Sequence, residues 1–284
     1  MSTVVGIIMY VLLAPLLAGL LVGLGAFISA HLQGENPPHI LESFRKLLGL
    51  FREPWTEADS TPKLLCILRV ALILTGGSIL FAGGNLALSI LLLLFTEFIK
   101  IYNPYSIESK SLEQNHEPME LERDLAAFGT FSCQMLLTAA GLYCFTAYIS
   151  DRGSFLAADL ISAGTAPALY LPAMLVGLIA LLLFGRNTGF AVGKEKSSFS
   201  GKEQAFLEIG NWYRVIALYA VLFLFNYGGT VFSAVVSVGI CLLVWFLALL
   251  LQKPHSRQPK SVSIAAVSTI LMIASVVNLL ILLP

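Results

Sequence analysis

Apolar residues run through this chain in long uninterrupted stretches, separated by polar segments that collect almost every charge. A helix needs about 20 apolar residues to cross the hydrocarbon of a bilayer, and lipid does not tolerate irregular backbone, so each long stretch predicts one membrane-spanning helix. Eight such stretches occur, at approximately 4–30, 64–82, 85–101, 125–149, 167–184, 212–227, 231–251 and 262–283. Glycine pairs at Gly83 and Gly84 and at Gly228 and Gly229 mark tight turns between closely packed neighbours. The pattern predicts an all-α, polytopic membrane protein of about eight transmembrane helices, with 1–284 forming a single integral membrane domain.

One polar segment has a periodicity of its own. Ile40, Leu41, Phe44, Leu47, Leu48 and Phe51 recur at helical spacing, with Glu42, Arg45, Lys46 and Arg52 on the other side. Pro37 and Pro38 precede the segment and Pro54 follows it. This predicts a short amphipathic helix lying in the interface, serving either lipid adhesion or the docking of a soluble partner.

Composition agrees: 57% of the 284 residues are apolar and 12% charged, with mean hydropathy +0.84. A soluble domain of this length is excluded. The net charge of zero removes any basic excess that would suggest nucleic acid. The placement of charge is more telling than its sum. The segments at about 31–63, 102–124, 185–211 and 252–261 hold 13 of the 17 Lys and Arg residues, and Lys100 and Arg214 flank them on the same side; Arg152 falls on the opposite side and Arg69 within the second span. Cytoplasmic loops carry the basic excess, so these segments are expected in the cytoplasm and both termini outside it, in a multi-pass protein of the cell membrane. The first apolar run has no basic segment before it and continues to about Ile28, so it reads as a span and not as a signal peptide. Cys66, Cys133, Cys144 and Cys241 all sit in apolar runs without metal-ligand spacing, which predicts packing residues.

The candidates for chemistry are the charges nearest the membrane. Glu97 lies in LLLLFTEFIK, where a carboxylate is costly and tends to be paired or functional; Lys100 stands three residues on as a possible ion-pair partner. Arg69 either snorkels toward the cytoplasmic face or pairs with Glu97 or another buried acid. Glu203 and Glu208, with Arg214 nearby, stand at the membrane entrance of the sixth span, and Glu122, Arg123 and Asp124 at the start of the fourth. Carboxylates at such depth can carry protons. The other acids between 103 and 124 read as a solvated loop, and Asp159 as an interface residue. The run GRNTGFAVGK, 185–194, fails as a phosphate loop: the spacing to GK is one residue short, Glu195 replaces Ser or Thr, and no strand precedes it. Gly19 and Gly23 have the spacing that permits close helix contact.

Several segments, in order along the chain, resemble the H-subunit type of respiratory complex I and its counterpart, the B-type membrane subunit of energy-converting [NiFe] hydrogenases and formate hydrogenlyases. APLLAG at 14–19, followed by NPPHILESFRKLLGLF at 36–51, resembles that family's first span and its GPP-x-L-x-x-x-x-D-x-x-K-L-L loop. NPYS at 103–106 is similar to its SPYS-type loop, Arg123 and Asp124 to its Arg-Glu pair, and SFSG at 198–201 to its EYSG. Two departures bear on mechanism. Where the family commonly has a glutamate a little over two turns past the Arg-Glu pair, this chain has TFSCQ with Ser132. The acidic EAE-x-EL loop is reduced to Glu195 between Lys194 and Lys196.

The resemblance implies a non-redox membrane-anchor and ion-coupling subunit of an energy-converting hydrogenase complex, linking ferredoxin-dependent electron transfer to proton or sodium movement. No cofactor is expected in this chain; a [NiFe] centre and iron-sulfur clusters are implied in soluble large and small subunits, beside antiporter-like membrane subunits. Glu97 is the first candidate for the ion path. The alternatives are a purely structural anchor, a quinone-type complex I subunit, and a stand-alone secondary transporter; no internal repeat of the kind many transporters show is visible.

Overall fold

The computed structural model describes residues 3–55, 60–108, 118–184, 201–251 and 261–282, and every extended element among them is helical. The first long helix, α1 (Thr3–Gln33), is followed by the amphipathic α2 (Glu42–Arg52). Then come α3 (Ser60–Phe81), α4 (Leu86–Glu108), α5 (Pro118–Ser150), the short α6 (Ala157–Ser162), α7 (Pro172–Phe184), α8 (Gly201–Asn226), α9 (Val231–Leu251) and α10 (Ser261–Leu282). Each of the eight predicted spans falls on one of the eight long helices. By length and composition α1, α3, α5, α8 and α9 are able to cross a membrane, and shorter apolar helices lie at Pro172–Leu183 and Thr269–Ile281.

Local chemistry sets the boundaries. Gly83, with φ +76°, ends α3, and its amide donates to the Leu80 carbonyl. Asn85 then caps α4 by accepting the Leu88 N–H at 3.0 Å. At the second hairpin, Thr230 and Ser233 exchange side-chain and backbone hydrogen bonds at the start of α9. Both predicted turns are therefore built as the glycine pairs suggest.

The helices extend further than hydropathy indicates. α4 continues to Glu108, α5 starts at Pro118 and α8 at Gly201, so the segments 102–124 and 185–211 are partly helical. Polar residues propagate a helix at little cost once an apolar part has nucleated it, and an apolar scale cannot register that extension.

α8 is the axis of the bundle. None of its residues is exposed, and α1, α2, α3, α7 and α9 all pack against it. At one end, α2 turns Phe44, Leu47 and Phe51 inward, where they join Ala18, Ala205, Trp212 and Trp245 in a core cluster. Phe44 meets Trp212 edge-on with centroids 5.5 Å apart. Beyond α2, Trp55 stacks on Phe206 and bridges to Gly201. The apolar face of α2 is thus spent largely on the protein's own helices. Gly19 and Gly23 serve this docking and not a contact between two spans: the Phe44 ring lies over Gly19, the Ile40 carbonyl over Gly23, and the Ser43 hydroxyl donates to the Gly19 carbonyl at 2.8 Å.

At the opposite end the α3–α4 turn is tied to the segment entering α6. Leu86 N–H donates to Phe155 O at 2.7 Å, Ala157 N–H to Gly84 O at 3.0 Å and Ala158 N–H to Gly83 O at 3.1 Å. A 3₁₀ turn at Pro167–Leu169 continues this cover to the start of α7.

A side chain at Gly19 has no room beside the Phe44 ring, whereas nothing lies within 4 Å of a side chain at Gly49. Gly19→Val is expected to push α2 off α1 and cost about 1–3 kcal/mol. Gly49→Ala is expected to gain up to about 1 kcal/mol from helix propensity. Unfolding midpoints of the two variants in detergent check the opposed signs.

Candidate functional site: a buried carboxylate between two arginines

The inward face of α4 carries Leu86, Ile90, Leu93 and Glu97 at successive turns, so a helix that packs by its leucines must bury the carboxylate with them. On α3 the inward stripe is Cys66, Arg69 and Ile73, and on the enclosed α8 Arg214 has no outward face to occupy. Glu97, Arg69 and Arg214 are 4%, 2% and 0% exposed. Three different helices therefore deliver one acid and two bases to a single point.

Arg214 Nη1 and Arg69 Nη2 both approach Glu97 Oε1, the first in direct contact and the second at 3.9 Å. Each guanidinium also has a neutral partner: Arg69 Nη1 donates to the Leu207 carbonyl at 3.3 Å and Arg214 Nη2 to Asn211 Oδ1 at 3.0 Å. The Nε atoms of both arginines have no hydrogen-bond partner among the described residues. Arginine keeps its proton at any accessible pH, so these three residues together carry one surplus positive charge. The carboxylate is what makes burial of either guanidinium tolerable.

Arg69 is turned inward to Glu97 and Leu207 and does not snorkel to the surface. The ion pairs described for Glu97 reach across to α3 and α8, where the sequence offered Lys100 on the same helix; Lys100 itself is half-buried. Glu203 and Glu208, in the part of α8 that precedes the sixth apolar stretch, are buried. α2 covers this part of α8, and the two residues are 0% and 6% exposed. Glu203 shares the α8 stripe of Leu207, Gly210 and Arg214, while Glu208 is turned toward α2, within electrostatic reach of Lys46. Glu122, Arg123 and Asp124 lie in the first turns of α5, but their side chains, and all of Glu195, are outside the described residues.

Sequence reasoning missed the polar clasps that hold these helices in place. Tyr10 of α1 donates to the Tyr213 carbonyl at 3.1 Å, and Tyr213 donates to the Val11 carbonyl at 2.7 Å, which locks α1 to α8 one residue before Arg214. A signal did exist in the small Gly77, against which the Tyr10 ring lies. Asn211, the partner of Arg214, stood unnoticed between Gly210 and Trp212. Asn278 of α10 likewise reaches the Tyr170 carbonyl at 3.0 Å. Among the described residues, no group of three or more His, Cys, Asp or Glu side chains is placed to hold a metal ion.

No family model matches the sequence, and no curated protein does. Among solved structures, the chain is similar in fold to a chain in the structure of the membrane-bound sulfane sulfur reductase, an archaeal respiratory membrane complex. The two superpose with a TM-score of 0.76 at 14% identity, over 99% of both chains. At that identity the likeness is one of fold, and it extends from end to end.

Removing the acid strands two buried guanidinium groups, whereas removing Arg69 leaves a one-to-one pair. Glu97→Gln is expected to cost about 3–5 kcal/mol of stability, and Arg69→Met less than that. Chemical unfolding of both variants in the same detergent checks the order.

Proposed function

We propose that the chain is a membrane subunit of a respiratory-type redox complex, and that Glu97 couples redox chemistry in soluble partner subunits to ion movement. The observation that carries the reading is the fold likeness over 99% of both chains to a subunit-sized chain of a respiratory membrane complex. A match confined to one short helix would not have the same weight as one over 99% of both chains. The sequence resemblance to the membrane subunits of energy-converting hydrogenases supports the same class independently.

In this reading the basic segments and the α2 end of the bundle face the cytoplasm and both termini lie outside it, in the cell membrane. Soluble large and small subunits with a [NiFe] centre and iron-sulfur clusters dock at that end, antiporter-like subunits adjoin the bundle, and reduced ferredoxin supplies the electrons. A charge arriving near the α2 end shifts the balance among Glu97, Arg69 and Arg214. In a medium of low dielectric such a shift acts strongly on its neighbours. Protons or sodium ions then move through carboxylates at membrane depth.

One observation favours a second reading, that of a structural anchor. Glu97 is already engaged by two guanidinium groups, and a carboxylate so held can exchange a proton only after those contacts break. Replacement of Glu97 by Gln in the assembled complex separates the two readings. Coupling through this residue predicts loss of ferredoxin-dependent ion pumping in vesicles with the partner subunits still co-purifying, and unchanged pumping assigns the chain to the anchor role. Nickel and iron in the preparation purified through this chain are expected on the hydrogenase-type reading. A monodisperse single chain stabilised by a small solute would point instead to a transporter.

A further inference from the structure

The outward side of α2 remains after its apolar face has packed on α1 and α8. Going round the helix at about 100° per residue, the packed residues Phe44, Phe51 and Leu47 give way on one flank to Leu48 and Leu41. Arg52 and Arg45 come next, then Gly49, then Glu42 and Lys46. Leu41 and Leu48 are 50% and 60% exposed, and Arg45 and Arg52 are exposed beside them. The order therefore runs from protein interior through aliphatic side chains and guanidinium groups to mixed charge.

The height of α2 on the bundle is fixed by α1. The first apolar stretch covers about 4–30, and Gly19 and Gly23 lie in its second half, toward the end at which the polar segment 31–63 leaves α1. Gly19 and Gly23 are the residues against which Phe44 and the Ile40 carbonyl pack. The Leu–Arg flank is thus carried beside the spans at the end of the bundle where the apolar stretch of α1 gives way to polar chain.

We propose that this flank is a binding site for an anionic phospholipid, with Leu41 and Leu48 against the acyl chains and Arg45 and Arg52 on the headgroup phosphate. Charge complementarity favours that occupant, because two exposed guanidinium groups adjoin two exposed leucines on one flank of a helix docked beside the spans, which pairs the two chemistries of a phospholipid. Guanidinium forks match phosphate oxygens in a way a point charge does not. A soluble protein partner would meet the other flank, where Glu42 and Lys46 mix their signs. The site does not depend on whether Glu97 moves ions.

The test uses the full-length protein in neutral detergent, titrated with phosphatidylglycerol or phosphatidylcholine, with bound lipid counted by native mass spectrometry. All the substitutions involved are at exposed positions. The wild type is expected to prefer phosphatidylglycerol, and Arg45→Gln/Arg52→Gln to weaken its binding by roughly tenfold. Leu41→Ser/Leu48→Ser should weaken both lipids alike, and Lys46→Gln should keep the preference. Wild-type phosphatidylglycerol binding by the double arginine variant overturns the proposal, as does an equal loss in Lys46→Gln, which would reveal only a general charge effect. If the arginine variant keeps its lipid but loses co-purifying soluble protein, the surface belongs to a protein partner. If the leucine variant is silent and millimolar inorganic phosphate displaces the lipid, the site is a bare anion site and the lipid assignment fails.

Discussion

The bundle depends on neutralising Arg214 inside a helix that has no exposed side. An arginine on a peripheral helix can extend its stem and reach water, but every residue of α8 is covered by neighbouring helices. The counter-charge must therefore come from a neighbour, and Glu97 of α4 provides it. Arg69 on α3 joins the same oxygen and uses its remaining reach on the Leu207 carbonyl of α8. A single carboxylate thereby links the three helices that form the polar heart of the molecule. Apolar packing alone could not fix their register so closely, since leucine against leucine tolerates a shift along the axis and a guanidinium against a carboxylate does not.

The large outline was legible in the residues. Spans, hairpins and the amphipathic α2 all follow from apolar run length, glycine pairs and periodicity, because the bilayer allows few alternatives to a continuous helix. Two things were not legible, and for different reasons. The polar starts of α5 and α8 have no apolar signature; α8 begins eleven residues before Trp212 because α2 covers that stretch, and cover is a tertiary fact. Of the two arginines that engage Glu97, Arg214 was hidden, because local pairing can be read from spacing, as for Lys100, whereas a contact between distant helices cannot. Arg69 was visible as an unusual residue in an apolar run, and pairing with Glu97 was among the roles open to it. Which role it takes was decided by the rotation of α3 against α4.

The same contrast explains why fold and sequence comparisons speak so differently. At 14% identity, superposition over 99% of both chains means that the architecture survives replacement of most side chains. Helices held by lipid exclusion and backbone satisfaction require only that apolar residues remain apolar. The charged cluster is a far narrower specification, written in three residues on three helices.

The two ends of the bundle are fastened in different materials. At the far end, main-chain hydrogen bonds join the α3–α4 turn to the strand-like approach to α6, and these persist whatever the side chains do. At the near end, α2 is held by interlocked rings, a serine hydroxyl and the surface of two glycines. Side-chain replacement therefore acts on the two ends unequally: it can undo the fastening of α2 and leaves the main-chain bonds at the α3–α4 turn in place. α8, packed against α2 and carrying Arg214, joins the end fastened by side chains to the place where Glu97 is buried.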